Sequence, residues 1–285
     1  MRILIAGCGY VGSALGLLLA ADGHTVFGLR RNPALPAAIN PIRADLSTPL
    51  PPEALPPDLD AVVSTASPGG SSDEAYRTAY VDGPRNLISA LGEQENIGRL
   101  VLVSSTGVYG QKNGEWVDEV SPTEPANTSG QRLLEGEELV LGGPFRATVL
   151  RLGGIYGPGR TGMIERALRT PPPKNAPPQY TNRIHRDDCA GALRHLLLLP
   201  DPEPVYLGVD HEPADRRTVA EWLAARFGEN LPRDPSSPRQ VPRDRPGRTN
   251  KRCSNKLLLR SGYEFRYPTF REGFAAQLDE AAAPG

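Results

Sequence analysis

The stretch "RILIAGCGYVGSALGLLLAADGH", residues 2–24, decides the fold. "RILIAG" is an unbroken apolar run of strand length, as expected for a strand buried on both faces. Val11, Leu15, Leu18 and Leu19 then supply an apolar helix face, and Gly23 ends it. Between strand and helix stand Gly7, Gly9 and Gly12 in G-x-G-x-x-G spacing. Gly7 permits the tight turn, Gly9 lets backbone approach a pyrophosphate, and Gly12 allows the helix to pack close on the strand. The helix N-terminus adds free N–H groups and the positive end of its dipole. The stretch therefore predicts a dinucleotide phosphate loop formed by Gly7, Cys8, Gly9, Tyr10, Val11 and Gly12. Cys8 is a small filler there, because nothing near it in sequence would depress its pKa.

Outward from this loop the same alternation continues. "TVFGLRR", "INPIRADL", "DAVVSTAS", "GRLVLVSS" and "RATVLRL" are further strands. "SSDEAYRTAYVDGPRNLISALGE" and "SGQRLLEGEELVLG" are helices, the first open to bending at Asp82-Gly83-Pro84. Strands alternating with helices predict the α/β class, a doubly wound parallel Rossmann sheet with its ligand at the carboxyl ends of the strands. After Gly153 the pattern loosens into helices at "TGMIERALR", "DDCAGALRHLLLL", "TVAEWLAARFG" and "TFREGFAAQLDEA", with a strand at "PVYLGV". Residues 1–160 are expected to form the Rossmann domain, with contributions from about 180–210, and residues 161–285 a smaller, discontinuous C-terminal substrate lobe.

The 285 residues suffice for one large domain or a domain with a lobe. With 32 Lys+Arg against 33 Asp+Glu, no charge excess points to nucleic acid or an anionic membrane as a partner. The short run "ILIA" before a glycine is neither a signal peptide nor a spanning helix. Cys8, Cys189 and Cys253 lie far apart without metal or redox spacing, so a cytoplasmic setting is expected. His24, His185, His195 and His211 show no metal spacing either, so no metal is expected. Prolines cluster at 33–57, 171–178 and 232–246, as in rigid loops. The basic run "PRDRPGRTNKRCSNK" reads as a solvated loop, and Trp116 and Trp222 as packing anchors.

The second strand should end on the residue that reads the adenosine ribose, where an acid would bind the 2′-hydroxyl of NAD. Arg30 and Arg31 stand there instead, and guanidinium forks suit a 2′-phosphate. NADP is therefore the expected cofactor, with NAD the alternative. Asp45 and Leu46 are placed to contact adenine, although Asp45 also suits a turn. Ala66 and Ser67 after the fourth strand, and Ser104 at the end of the fifth, complete the expected cofactor set.

At "RLVLVSSTGVYG" the chain resembles the extended short-chain dehydrogenase/reductases, the NAD-dependent epimerase/dehydratase group. "GCGYVG", "ADL" (44–46), "LRLGGIYGPGR" (150–160), "NRIHRDDCAGAL" (182–193) and "NKRCSNKLLLRSGYEFRYPTFREGF" resemble further blocks of that group. The resemblance implies that Ser105 hydrogen-bonds a substrate oxygen. It also implies a Tyr-x-x-x-Lys pair on the next helix, the tyrosine exchanging a proton with substrate and the lysine holding the nicotinamide ribose. In "ANTSGQRLLEGEELV", residues 126–140, those two places hold Thr128 and Arg132. Asn127, Thr128 and Ser129 suit a helix N-terminus, and Leu133, Leu134, Leu139 and Val140 give the helix its apolar surface.

A threonine hydroxyl is a far weaker acid than a phenol and supplies no phenolate at neutral pH. Arg132 keeps the charge and the ability to bind ribose hydroxyls, so it remains a candidate for both cofactor and catalytic roles. Tyr109 and Tyr156, near strand ends, are candidate surrogate acids, and Tyr109 joins Ser105 and Arg132 in the candidate catalytic set. A His185–Asp187 pair is a sharper reading of "NRIHRDD" than a helix cap, but so short a spacing does not imply a triad. The expectation is an oxidoreductase or epimerase-like enzyme acting on a small polar molecule. A non-catalytic cofactor-binding sensor or assembly protein is the alternative, and a homodimer is compatible with either.

Overall fold

The computed structural model describes residues 1–285 except 33, 93, 95, 170, 174, 228–248 and 283–285. The proline cluster at 232–246 and the first half of the basic run therefore lie outside the described residues. The chain runs β1 (Arg2–Ala6), α1 (Tyr10–Ala21), β2 (Thr25–Arg30), β3 (Asn40–Arg43) and β4 (Ala61–Ser64). It continues through α2 (Asp73–Arg77), α3 (Gly83–Leu91), β5 (Arg99–Ser105), β6 (Glu115–Val117) and α4 (Thr128–Leu141). Then come β7 (Ala147–Leu152), β8 (Gly154–Tyr156), α5 (Gly162–Arg169), β9 (Tyr180–Thr181), β10 (Arg183–His185) and α6 (Arg186–Leu198). The last elements are β11 (Val205–Gly208), β12 (Ala214–Asp215), α7 (Arg216–Phe227), β13 (Lys251–Cys253), α8 (Lys256–Arg260) and α9 (Phe270–Ala282).

Seven strands form one sheet in the order β11-β7-β5-β4-β1-β2-β3, every pair parallel. The order reverses at β1, so β1 and β4 flank the switch point where such sheets open a crevice. The apolar runs are buried on both faces because successive side chains alternate across the sheet. Ile3, Ile5, Val63, Val101, Val103 and Leu150 join Leu15 and Leu19 of α1 and Leu193 and Leu196 of α6 on one side. Leu4, Val62, Leu100, Leu102 and Val149 meet Leu87 and Leu91 of α3 and Val140 of α4 on the other.

The short ladders β8–β10, β9–β12 and β6–β13 are not legible in sequence, because two- or three-residue pairings carry no periodicity. A separate apolar cluster, including Tyr156, Ile164, Val219, Leu223, Phe270 and Phe274, joins β8 to α5, α7 and α9. The bend foreseen at Asp82-Gly83-Pro84 is a π-helical turn, Thr78–Asp82, between α2 and α3. Pro84 has no N–H to donate to the Tyr80 carbonyl, so the helical ladder widens there. That carbonyl lies against Gly136 of α4, where a Cβ would collide with it.

Candidate active site

The phosphate loop has the geometry its glycines predict. Gly7 has φ +77°, and a Cβ on it would lie 2.5 Å from the Ala66 Cα. A Cβ on Gly12 would meet Thr65 Oγ1 at 2.7 Å and Ile5 Cγ2 at 3.0 Å, so only glycine lets α1 sit this close to β1 and β4. Gly9 differs: a Cβ there would find only the Gly7 carbonyl, at 3.7 Å. Gly9 also occupies the N-cap of α1, and no side chain caps that helix end. Open space against uncapped N–H groups at a dipole's positive end is the arrangement an anion needs. Cys8 and Val11 are buried, so only their backbone can face such a ligand, and burial pushes the Cys8 thiol pKa up.

A crevice of about 610 Å³ opens beside this loop. Its walls bring together Gly7, Gly9, Arg30, Arg31, Asp45, Leu46, Ala66 and Ser67, residues spread over four strand ends. Ser72, Glu74, Ala75 and Thr78 close it from the α2 side, which the sequence did not reveal. The Arg30 guanidinium donates to the Cys8 carbonyl at 3.4 Å, tying the end of β2 to the phosphate loop. Asp45 accepts from the Ser47 N–H at 3.0 Å, a turn contact that lowers its carboxyl pKa, helped by the charge of Arg31.

Beyond the crevice, Ser105 ends β5 partly exposed, its Oγ accepting from the Gly107 N–H at 3.1 Å. Ser104 does not join the cofactor set through its side chain. Strand alternation turns it to the α4 face, where its hydroxyl is buried and donates to Glu137. Asn127 is the N-cap of α4, its Oδ1 accepting from the Gly130 N–H at 2.9 Å. Thr128 is exposed in the first turn, and Arg132 follows one turn later. Arg132 is not free: Nε and Nη2 each lie 3.0 Å from the Asp73 carboxylate, and Nη1 lies 2.7 Å from Glu135. The bond to Arg132 lowers the Asp73 pKa, and bonds to Asp73 and Glu135 raise that of Arg132. Asp73 is the partner that sequence reasoning missed, since no local pattern links residues so far apart.

Tyr109 requires a correction as a candidate acid. It is fully buried, its hydroxyl donating to the Asp118 carbonyl at 2.8 Å and accepting from Arg151 Nη1 at 2.7 Å. Burial raises its pKa, so the phenol is a structural group facing away from solvent. Arg151 is held in turn by Glu137, with Nη2 at 2.6 Å from Oε2. Tyr156 is equally buried, packed against Phe274, and its pKa is also raised by burial. His185 is buried, its Nδ1 accepting from the Asp187 N–H at 3.2 Å, so it caps α6. Burial lowers its pKa to about 4, and its ring packs against Tyr156 and Tyr267, with centroids at 5.3 and 4.1 Å.

Lys251, within the basic run, is buried rather than solvated: Nζ donates to the Tyr109 carbonyl at 2.9 Å and Thr249 Oγ1 at 2.8 Å. Trp116 is over half exposed, with Arg252 5.0 Å above its ring. Among the described residues no group of His, Cys, Asp and Glu could hold a metal ion, and no helix is long and apolar enough to cross a membrane.

A parallel sheet with its switch-point crevice, a G-x-G-x-x-G turn and an uncapped helix end define a Rossmann-like α/β protein. Residues 3–193 match the model of the NAD dependent epimerase/dehydratase family, and the chain belongs to that family. A structure from Methylobacillus flagellatus assigned to the NAD-dependent epimerases/dehydratases is 37% identical, with a TM-score of 0.79 over 99% of both chains. A functionally unknown conserved protein from Silicibacter pomeroyi is 27% identical, with a TM-score of 0.73 over 99% of both chains. The UDP-glucose 4-epimerase of Thermus thermophilus, solved with NAD, shares the fold at 21% identity and a TM-score of 0.77, covering 99% of this chain and 100% of its own. A search of curated proteins found no match.

Proposed function

We propose that the chain is a nicotinamide-dinucleotide-dependent oxidoreductase of the epimerase/dehydratase kind, acting on a small polar substrate and preferring NADP to NAD. The observation that carries this reading is the crevice in which the open phosphate loop, Arg30 and Arg31 share one wall system. The pyrophosphate would rest on the N–H groups at Gly9 and the start of α1, and Arg30 and Arg31 would face the 2′-phosphate. Asp45 and Leu46 would border adenine, and Ala66 and Ser67 the middle of the cofactor. The nicotinamide, when bound, supplies or accepts a hydride. Ser105 orients the substrate oxygen, and Arg132, steadied by Asp73 and Glu135, borders the nicotinamide ribose. Thr128 cannot serve as phenol, and Tyr109 is buried, so the proton is exchanged with water at the partly exposed end of β5. Residues 161–285 supply the substrate side. The buried, unpaired cysteines fit a reducing cytoplasm.

Thermal shifts with NADPH and NADH at equal concentration test the cofactor assignment. NADPH should raise Tm more. Equal shifts refute the role of Arg30 and Arg31, and no shift with either refutes cofactor binding. Turnover is then screened by NADPH oxidation, NADP reduction and, because epimerisation returns the cofactor unchanged, by chromatography of the sugar product, beginning with the UDP-sugars recorded with structures of this fold. One observation favours a second reading, a cofactor-binding protein without turnover: Tyr109 and Tyr156, the candidate surrogate acids, are both buried. Binding without any hydride exchange across the screen would select it.

A further inference from the structure

Nine tyrosines are spread along the chain, and most are committed. The hydroxyls of Tyr10, Tyr109, Tyr206 and Tyr263 are held in hydrogen bonds, and Tyr156 and Tyr267 are buried. Tyr180 belongs to the β9–β12 ladder, outside the main sheet. Tyr76 and Tyr80 remain. Both are half-buried, and neither hydroxyl has a hydrogen-bond partner among the described residues. Neither oxygen is sealed from solvent.

The two rings stand side by side where α2 meets α4, with centroids 5.8 Å apart. Two contacts fix how these segments run. Asp73 holds Arg132, and Tyr80 backs onto Gly136, about one helical turn further along α4. The segments are therefore parallel, and both start at the carboxyl edge of the sheet, where Ser105 ends β5. Helical side chains lean toward the start of their helix, so the Tyr80 ring leans back from Gly136 toward that edge. It packs against the cluster that contains Val108 and Leu133. Leu133 and Ser105 flank one turn: a Cβ on Gly107 would lie 3.5 Å from Leu133 Cδ1 and 3.4 Å from Ser105 Oγ. On the other side, Thr78 and Ala79 of the same π-helical turn line the cofactor crevice, as do Ser72 and Ala75 around Tyr76. A pair of unpartnered phenols thus stands in the interval between the crevice and Ser105.

We infer that Tyr80 is the catalytic acid of this site, giving its phenolic proton to the substrate oxygen that Ser105 orients. As the substrate carbon accepts the hydride, the carbonyl oxygen takes the Tyr80 proton and becomes a hydroxyl. The phenolate left behind takes a proton from water, and in the opposite direction it accepts the proton of the alcohol. Burial raises the Tyr80 pKa to about 12, so the phenol carries its proton at neutral pH. Tyr76 is the one titratable group among the described residues that acts on it electrostatically. The inference deepens the proposed function and rests on it: the phenol stands between the water at the end of β5 and the substrate.

Tyr80→3-nitrotyrosine in the full chain tests the placement without a known substrate, because a nitrophenol ionises near neutral pH with a visible absorbance change. The nicotinamide ring is cationic in NADP⁺ and neutral in NADPH. Saturating NADP⁺ should move the titration midpoint at position 80 down by about 1–3 pH units, as an opposite charge within about 4–6 Å does. NADPH should not, and Tyr180→3-nitrotyrosine should respond to neither. Y80F should keep the wild-type Tm, its hydroxyl having no partner to lose. On any carbonyl compound turned over in the screen, Y80F should be about a hundred- to ten-thousand-fold slower, and Y76F less affected. Equal midpoints with NADP⁺ and NADPH, in a chain whose thermal shifts show that both bind, overturn the inference alone, as does a large loss of Tm in Y80F. Failure of the wild-type chain to bind either form overturns the proposed function with it.

Discussion

Glu137→Gln is the substitution whose effect follows most directly from the packing. Glu137 and Arg151 form an ion pair between α4 and β7, with side chains only 3% and 7% exposed. The carboxylate receives Arg151 Nε on both oxygens at 3.1 Å and Nη2 at 2.6 Å, together with the Ser104 hydroxyl. Arg151 in turn holds the Tyr109 hydroxyl. Glutamine preserves the shape and one acceptor but removes the charge. It also aims an amide N–H₂ at a donor-rich site. A buried guanidinium is then left without its counter-charge, and breaking such a pair costs about 3–5 kcal/mol. For a chain of this size that corresponds to a Tm lowered by about 6–10 °C, taking about 2 °C per kcal/mol. Urea unfolding followed by far-UV circular dichroism measures the loss, with the midpoint falling at unchanged slope. The crevice walls do not include Glu137, so the relative shifts given by NADPH and NADH should persist. A Glu137→Gln variant within about 0.5 kcal/mol of wild type, inside the range of ordinary surface changes, would refute the reasoning.

Four further outcomes are expected. Tyr109→Phe loses both hydroxyl contacts and should destabilise the chain by about 1–3 kcal/mol, the cost of leaving buried partners unsatisfied; a selective loss of turnover at full stability would restore the tyrosine to a catalytic role. Gly9→Val should fold, because φ is −101° and the space before it is open, yet abolish the NADPH-induced Tm shift; a retained shift would place the phosphate elsewhere. Gly7→Ala, forced against Ala66 at φ +77°, should by contrast lose stability before any ligand is added. Asp210 is buried and its pKa is raised to about 8, desolvation outweighing the charge of Arg183. Its folded pKa lies above its unfolded value near 4, so folding binds a proton between them. The stability this proton confers is fully present below about pH 4 and is lost as pH rises through about 8. The difference in unfolding free energy between wild type and Asp210→Asn should therefore shift against wild type from pH 5 to pH 8. A difference constant across that range would show the carboxyl to be ionised throughout.

Local patterns account for the parts of the structure that were legible without coordinates. The seven sheet strands and the helices between them are apolar runs and amphipathic stretches, and periodicity suffices to read those. Asn127 was legible as a cap because capping is a contact across a single turn. The glycine turn between β1 and α1 was legible because G-x-G-x-x-G encodes steric exclusions: Ala66 against Gly7 and Thr65 against Gly12 leave no room for a Cβ. The expected cofactor walls Arg30, Arg31, Asp45, Leu46, Ala66 and Ser67 converge on one crevice because parallel strands put their carboxyl ends on one edge.

The roles of the polar groups near Ser105 belonged to tertiary structure. Ser104 and Ser105 are neighbours in sequence, but the sheet sends one hydroxyl to Glu137 and leaves the other at the strand end. Tyr109 stands close to Ser105 along the chain, yet Arg151 and the Asp118 carbonyl hold its phenol inside. Arg132 reads as a lone cation until α2 brings Asp73 against it. By itself the sequence determined the class of fold and the glycine turn between β1 and α1, since both are written in residue identity and short-range spacing. Which remaining hydroxyls and charges are free to act was decided only by folding, because a side chain is committed by partners that local spacing does not reveal.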